Sequence, residues 1–265
     1  MNVPKANCVA KGLPRTGTIP RMQRGLPERR KIKDVKKVIA VSSAKGGVGK
    51  STIAGPVCLS SDIRGMCVSD MSLLDNQLIP LSNYGVKSMS MGYLVGDAAP
   101  VVWRGLMVMK ALQQLLHEVD WGGLDVLVLD LPPGTGDTQL TITQQIVLDG
   151  AVIVSTPQDI ALKDAVKGIN MFKKINIPIL GMVQNMSVFT CPHCHNSTHI
   201  FGSHSGVTHA CEEHGIDFLG DIPLHASICD DADRGKPTVV AEPDSDRAKA
   251  FMELTNVVGG KVDLF

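Results

Sequence analysis

Eight residues early in the chain, Ala44-Lys45-Gly46-Gly47-Val48-Gly49-Lys50-Ser51, have the composition needed to hold a phosphate. Glycines let successive backbone N–H groups close around phosphate oxygens. Lys50 can reach the β- and γ-phosphates of a nucleotide, and the Ser51 hydroxyl can ligate Mg²⁺. Thr52 adds a second hydroxyl at the start of a helix whose N-terminus favours an anion. The segment fits the phosphate-loop template except at Ala44, where the template has Gly. A second constellation is Cys191-Pro192-His193-Cys194. Two thiolates three residues apart can ligate one metal centre from a tight turn. Downstream, Cys211 and His214 form a C-x-x-H, so a closed Cys₃His site for Zn²⁺ within one chain is an alternative use of the same pair.

Elements must bring these groups together. Val38–Ser42 is a buried strand leading straight into the glycine-rich loop. Val126–Asp130 and Ala151–Ser155 are continuous apolar strands, Ile179–Val183 is another, and Phe218–Leu219 begins a short one. Gly85–Ser90 is a weaker strand. Between them lie helical patterns: an apolar stripe from Leu106 to Val119, a helix opened by Asp159 and running to about Ile175, and a last one starting near Ser245 or Asp246. Strands apolar on both faces and separated by helices predict a parallel sheet covered on both sides, a three-layer α/β/α sandwich. Asp130 ends its strand on the side where such sheets bind ligands. The glycines of Leu131-Pro132-Pro133-Gly134-Thr135-Gly136-Asp137 let the following loop approach a γ-phosphate and respond to it.

Composition narrows the classes. Apolar residues make up 44% and aromatics only 4%, leaving little for a base-stacking platform, and no nucleic-acid partner is expected. No apolar run approaches the roughly 18 residues of a membrane span, so no transmembrane segment is expected. The zero net charge hides an asymmetry: residues 1–37 hold eleven Lys/Arg and two acids. This basic tail precedes a domain over 38–265, and its Arg-rich, acid-poor start reads as an organelle transit segment. Seven cysteines, an odd number, with no secretory apolar region, argue against a disulfide framework and for a reducing compartment. Cys8, Cys58, Cys67 and Cys229 match no ligand spacing.

Lys45, Asp130-Leu131-Pro132-Pro133-Gly134-Thr135-Gly136-Asp137, STPQDIAL at 155–162, VQNMS at 183–187 and GDIPL at 220–224 together resemble the Mrp-type branch of the deviant Walker A P-loop ATPases, which serve iron–sulfur cluster assembly. Most of the chain takes part in the resemblance, and its mitochondrial, complex I-assembling members are the most similar. The resemblance implies ATP bound by residues 44–52 and an adenine contact from Asn185. It implies Asp130 holding Mg²⁺ through water and Lys45 reaching the nucleotide of a facing subunit in a homodimer. Cys191 and Cys194 from each subunit would clasp one bridging [4Fe–4S] cluster. Lys45, Lys50 and Asp130 are then the catalytic candidates. The implied clients are iron–sulfur apoproteins such as complex I subunits, in the mitochondrial matrix or, alternatively, the cytoplasm. Division-site and partition ATPases, which share the loop, are a rival functional class.

One departure stands out. The family has a long helix after the phosphate loop, then a strand ending in an Asp-rich stretch. Here Gly55 and Pro56 are expected to stop the helix after about one turn. A βαβ unit needs roughly 30 residues. The first crossover helix and the second strand are therefore expected to be missing, and weak hydrolysis at most is expected without that strand's Asp.

Overall fold

The structure is a computed structural model, and it describes residues 29–59, 71–74, 77–90, 113–134, 136–202 and 205–264. The elements follow in the order β1 (Val35–Ser42), α1 (Lys50–Leu59), β2 (Met71–Leu74), β3 (Gln77–Asn83), β4 (Val86–Ser88), β5 (Leu124–Asp130) and α2 (Asp137–Gln145). Then come β6 (Gly150–Ser155), α3 (Asp159–Lys174), β7 (Ile179–Thr190), β8 (Ser197–Thr198), α4 (Ser205–His214) and β9 (Phe218–Leu224). The chain closes with α5 (Ala226–Asp233), α6 (Thr238–Ala241) and α7 (Asp246–Lys261).

The main sheet runs β5-β1-β6-β7, with β9 parallel to β7 and the two-residue β8 antiparallel to the end of β7. Side-chain alternation along each strand builds two cores. Val38 and Ala40 of β1, Leu127 and Leu129 of β5, and Ala151 and Ile153 of β6 face one way. They pack with Ile142 of α2, Ile169 and Phe172 of α3 and Val207 of α4. Ile39, Val41, Val126, Val128, Val152 and Val154 face the other way and pack with Ile53 and Ala54 of α1 and Phe251, Leu254 and Val258 of α7. These two cores give the three predicted layers. Hydrophobic burial on both faces also explains why these strands read as unbroken apolar runs.

Two features differ from the sequence expectation. First, α1 does not stop after one turn: it runs ten residues with Pro56 inside. Pro56 cannot donate the bond to Thr52, but the preceding residue is Gly55. The clash that keeps a pre-proline residue out of the helical region involves its Cβ, which glycine lacks. Ile53, Ala54, Val57 and Cys58 are all buried against the sheet, and this apolar face holds the helix past the defect. Second, β2, β3 and β4 form a separate three-stranded antiparallel sheet. Among the described residues no strand pairs with β5 on the side away from β1. The crossover helix expected to be missing is thus present, whereas a second parallel strand is not found among the described residues. The first half of the predicted helical stripe from Leu106 to Val119 lies outside the described residues; of 113–119, residues 113–117 are helical and Val119 forms a bridge with Leu78.

Other boundaries agree with local chemistry. Ser245 caps α7, its hydroxyl accepting from the Ala248 N–H at 3.2 Å. Asp159 occupies the first turn of α3, where its charge opposes the helix dipole, and Lys173 and Lys174 occupy the last.

Candidate functional site

The parallel register of β1 and β5 pairs Val41 with Asp130, so the acid emerges at the end of β1, three residues before the phosphate loop begins at Ala44. Both Lys50 and Ser51 donate to the Asp130 carboxylate, one to each oxygen. Three groups separated by some eighty residues are therefore joined at one point. The set of a hydroxyl and a carboxylate oxygen is hard and anionic, the kind that suits Mg²⁺.

The loop itself has the backbone that its glycines allow. Gly47 and Gly49 sit at φ +79° and +80°, the left-handed region that a Cβ penalises. A Cβ on Gly47 would meet no atom within 4 Å, so the loop's concave face is open. A Cβ on Gly49 would lie 2.0 Å from Asn185 Nδ2, so here glycine is a packing requirement. Ala44 is not among the positive-φ residues, which explains why it can stand where the template has Gly. Its methyl faces Gly168 of α3. Val48 is buried, and its carbonyl accepts from Asn185 Nδ2 at 2.8 Å. Asn185 is thereby fixed against the loop by its own amide. Thr52 follows on the first turn of α1, beside a cavity of about 270 Å³ that separates this helix from the β3–β4 turn.

The loop after β5 is laid over the start of the phosphate loop. Leu131 N–H donates to Val41 at 3.0 Å and Gly134 N–H to Ser43 at 3.1 Å. Gln139 of α2 locks it there, its amide donating to Ser42 Oγ at 3.1 Å and to the Pro132 carbonyl at 2.7 Å. Lys45 points along the opposite rim: its ammonium lies 3.5 Å from Oε1 of Gln158, the residue that precedes α3. Sequence reasoning did not assign roles to Gln139 or Gln158. Gln158 stood inside the STPQDIAL motif, but only the fold shows that it meets Lys45.

Cys191 and Cys194 occupy the turn of the β7–β8 hairpin, one residue beyond the end of β7. Cys191 N–H donates to Asn196 at 3.0 Å and His195 N–H returns to Cys191 at 2.9 Å, with His195 at φ +57°. The Cys194 thiol is exposed. Backbone N–H groups of Cys194 and His193, with a further bond from the Cys194 thiol, hold the Cys191 thiol below its ordinary pKa. Hydrogen bonds to the charged form favour it, so the thiolate is the favoured form here relative to an ordinary thiol.

The alternative Cys₃His set is not assembled. Cys211 lies on α4, 3% exposed within the core that includes Phe172 and Val207. Burial, with Asp217 and Glu212 nearby, pushes its pKa up to about 11. It is a neutral thiol at pH 7, packed as a small hydrophobe. Among the described residues no group of three or more His, Cys, Asp or Glu side chains is placed to hold a metal ion. The C-x-x-H spacing of Cys211 and His214 reflects one helical turn with Cys211 facing the core.

Residues 34–259 match the model of the NUBPL iron-transfer P-loop NTPase family. The chain belongs to that family. It is 50% identical to the mouse iron–sulfur cluster transfer protein NUBPL, over 89% of this chain and 81% of that one. It is 47% identical to an Arabidopsis thaliana iron–sulfur protein required for NADH dehydrogenase, over 88% and 82%. Among solved structures, a nucleotide-binding protein of Archaeoglobus fulgidus in complex with ADP superposes with a TM-score of 0.67 at 32% identity, over 82% of this chain and 93% of that one. The cell division ATPase MinD of Pyrococcus furiosus gives a TM-score of 0.60 at 18% identity and shares the fold. The mouse match extends over 259 positions, whereas 89% of these 265 residues is about 236, so about 23 positions of the relative face no residue here.

Proposed function

We propose that this protein is a nucleotide-dependent carrier that holds an iron–sulfur cluster between two copies of itself and hands it to client apoproteins. The observation that carries this reading is the incompleteness of the thiol site. One chain offers two thiols on an exposed hairpin, one of them biased toward the thiolate, with no third ligand from the described residues. Two such hairpins facing each other would supply the four thiolates of a [4Fe–4S] cluster. The cluster is cargo, and ligands at the tip of a hairpin leave it accessible to an acceptor.

At the other site, Lys50 and the loop N–H groups would bind the phosphates of ATP, and Asn185 would lie at its base. Mg²⁺ would be held by Ser51 directly and by Asp130 through water, and it would neutralise phosphate charge. Lys45 would cross to the nucleotide of the partner copy, leaving Gln158 when it does. Hydrolysis is expected to be weak, because among the described residues no acid from a second parallel strand stands beside the loop. ATP then acts chiefly as a switch whose occupancy sets how the two copies face each other. The mitochondrial relatives, one named for NADH dehydrogenase, make complex I subunits in the matrix the clients to test first.

Native mass spectrometry of anaerobically reconstituted protein tests this reading. A species of two chains with one [4Fe–4S] cluster supports it. A single chain with one bound zinc and no sulfide contradicts it.

A further inference from the structure

The nucleotide end and the thiol end of the molecule lie on one strand. Asn185 of β7 donates to the phosphate loop at Val48, and Cys191 follows β7 after Thr190. Between them the strand is broken. Met186 is at φ +57°, a left-handed conformation costly for a residue with a Cβ. Across this point the pairing with β9 changes register: Asn185 faces Ile222 and Phe189 faces Leu224, four residues advancing against two. Such bulges re-aim whatever follows them.

Three contacts hold the bulge. The Ser187 hydroxyl, 2% exposed, lies 2.6 Å from Asp221 Oδ2 and 3.2 Å from the Ile222 carbonyl. The Ser187 carbonyl lies 3.1 Å from Nδ1 of His199, just beyond β8. The bulge is therefore pinned to β9 on one side and to the far arm of the thiol hairpin on the other. Beyond it, among the described residues, Phe189 pairs with Leu224 of β9 and with Thr198 of β8, and Thr190 pairs with Ser197, before the Cys191 turn.

We propose that the β7 bulge is the element through which nucleotide occupancy sets the presentation of Cys191 and Cys194, with Ser187 and Asp221 as its positioning residues. A nucleotide competes for the Asn185 amide that now binds Val48. Releasing that amide changes the tension on the residue before Met186. The Ser187–Asp221 clamp fixes the bulge relative to β9, so the change is passed outward along the hairpin rather than dissipated within the strand. The inference rests on the functional reading above, since it takes the phosphate loop as a nucleotide site.

The test is the iodoacetamide alkylation rate of Cys191 and Cys194 in the cluster-free full chain, with and without Mg·ATP. ATP affinity, mass in solution and Tm are measured alongside. The wild type is expected to change its rate at least about fivefold on adding Mg·ATP, the lower end of typical coupling. Ser187→Ala and Asp221→Asn are expected to cut that ratio to about one while ATP affinity and mass in solution match the wild type. Asp221 is exposed, so its variant stays informative if Ser187→Ala folds poorly. Bound ATP with no change in the wild-type rate overturns this proposal alone. So does a full ATP response in both variants. Failure of the wild type to bind ATP overturns the functional reading, and this proposal with it.

Discussion

The two ends of β7 are built on opposite principles. At the phosphate loop, groups from β1, α1, β5 and β7 interlock: Asp130 accepts from Lys50 and Ser51, and Asn185 fills the space that a Gly49 side chain would need. At the thiol hairpin, a two-residue strand and a tight turn stand in solvent, and every residue from 192 to 200 is exposed. The first arrangement is a preorganised cradle for a ligand of fixed shape. The second, on the proposed reading, leaves its thiols free to meet a partner and to release cargo. Substitutions should therefore damage nucleotide binding or folding at the first end and cargo binding alone at the second.

The sharpest break of that contrast is at Lys50. Lys50→Ala removes a charge-assisted donor to phosphate and is expected to weaken ATP binding by about 10- to 100-fold, from roughly 1.5–3 kcal/mol for such a bond. Calorimetric titration reads it. Gly49→Ala forces a Cβ into a left-handed backbone and into Asn185, and is expected to cost about 1–3 kcal/mol of stability in urea unfolding. By contrast, Cys191→Ala with Cys194→Ala should shift stability by less than about 0.5 kcal/mol, as exposed surface changes do. A large drop in the urea midpoint would mean that the hairpin supports the fold. The smallest effect is a pH profile. Because the folded-state pKa of Cys191 is lowered, its alkylation should rise with pH through a midpoint below that of an ordinary thiol, whereas buried Cys211, with a pKa of about 11, should stay unreactive until the protein unfolds.

Much of this was legible from residue types. The phosphate loop, the acid ending β5 and the C-x-x-C are local patterns, and β1, β5 and β6 are apolar on both faces because the sheet is covered twice. What could not be read depends on contacts distant in sequence. The passage of α1 through Pro56 is decided by the burial of Ile53, Ala54, Val57 and Cys58. Of the β2–β4 sheet, Gly85–Ser90 was legible as a weak strand and holds β4, whereas β2 and β3 are short hairpin segments without a clear alternating pattern. The meeting of Gln158 with Lys45, and of Ser187 with Asp221, follows from loop paths and strand register rather than from spacing. The zinc alternative failed for a simple reason: ligand spacing along a helix says nothing about which face is buried, and Cys211 faces inward.

The measurement that bears most directly on the account is the anaerobic iron, acid-labile sulfide and zinc content of the reconstituted protein, beside the Cys191→Ala/Cys194→Ala variant. About four iron and four sulfide per two chains are expected in the wild type, all lost in the variant. One zinc per chain with no sulfide, or iron and sulfide retained by the variant, would contradict the proposed function.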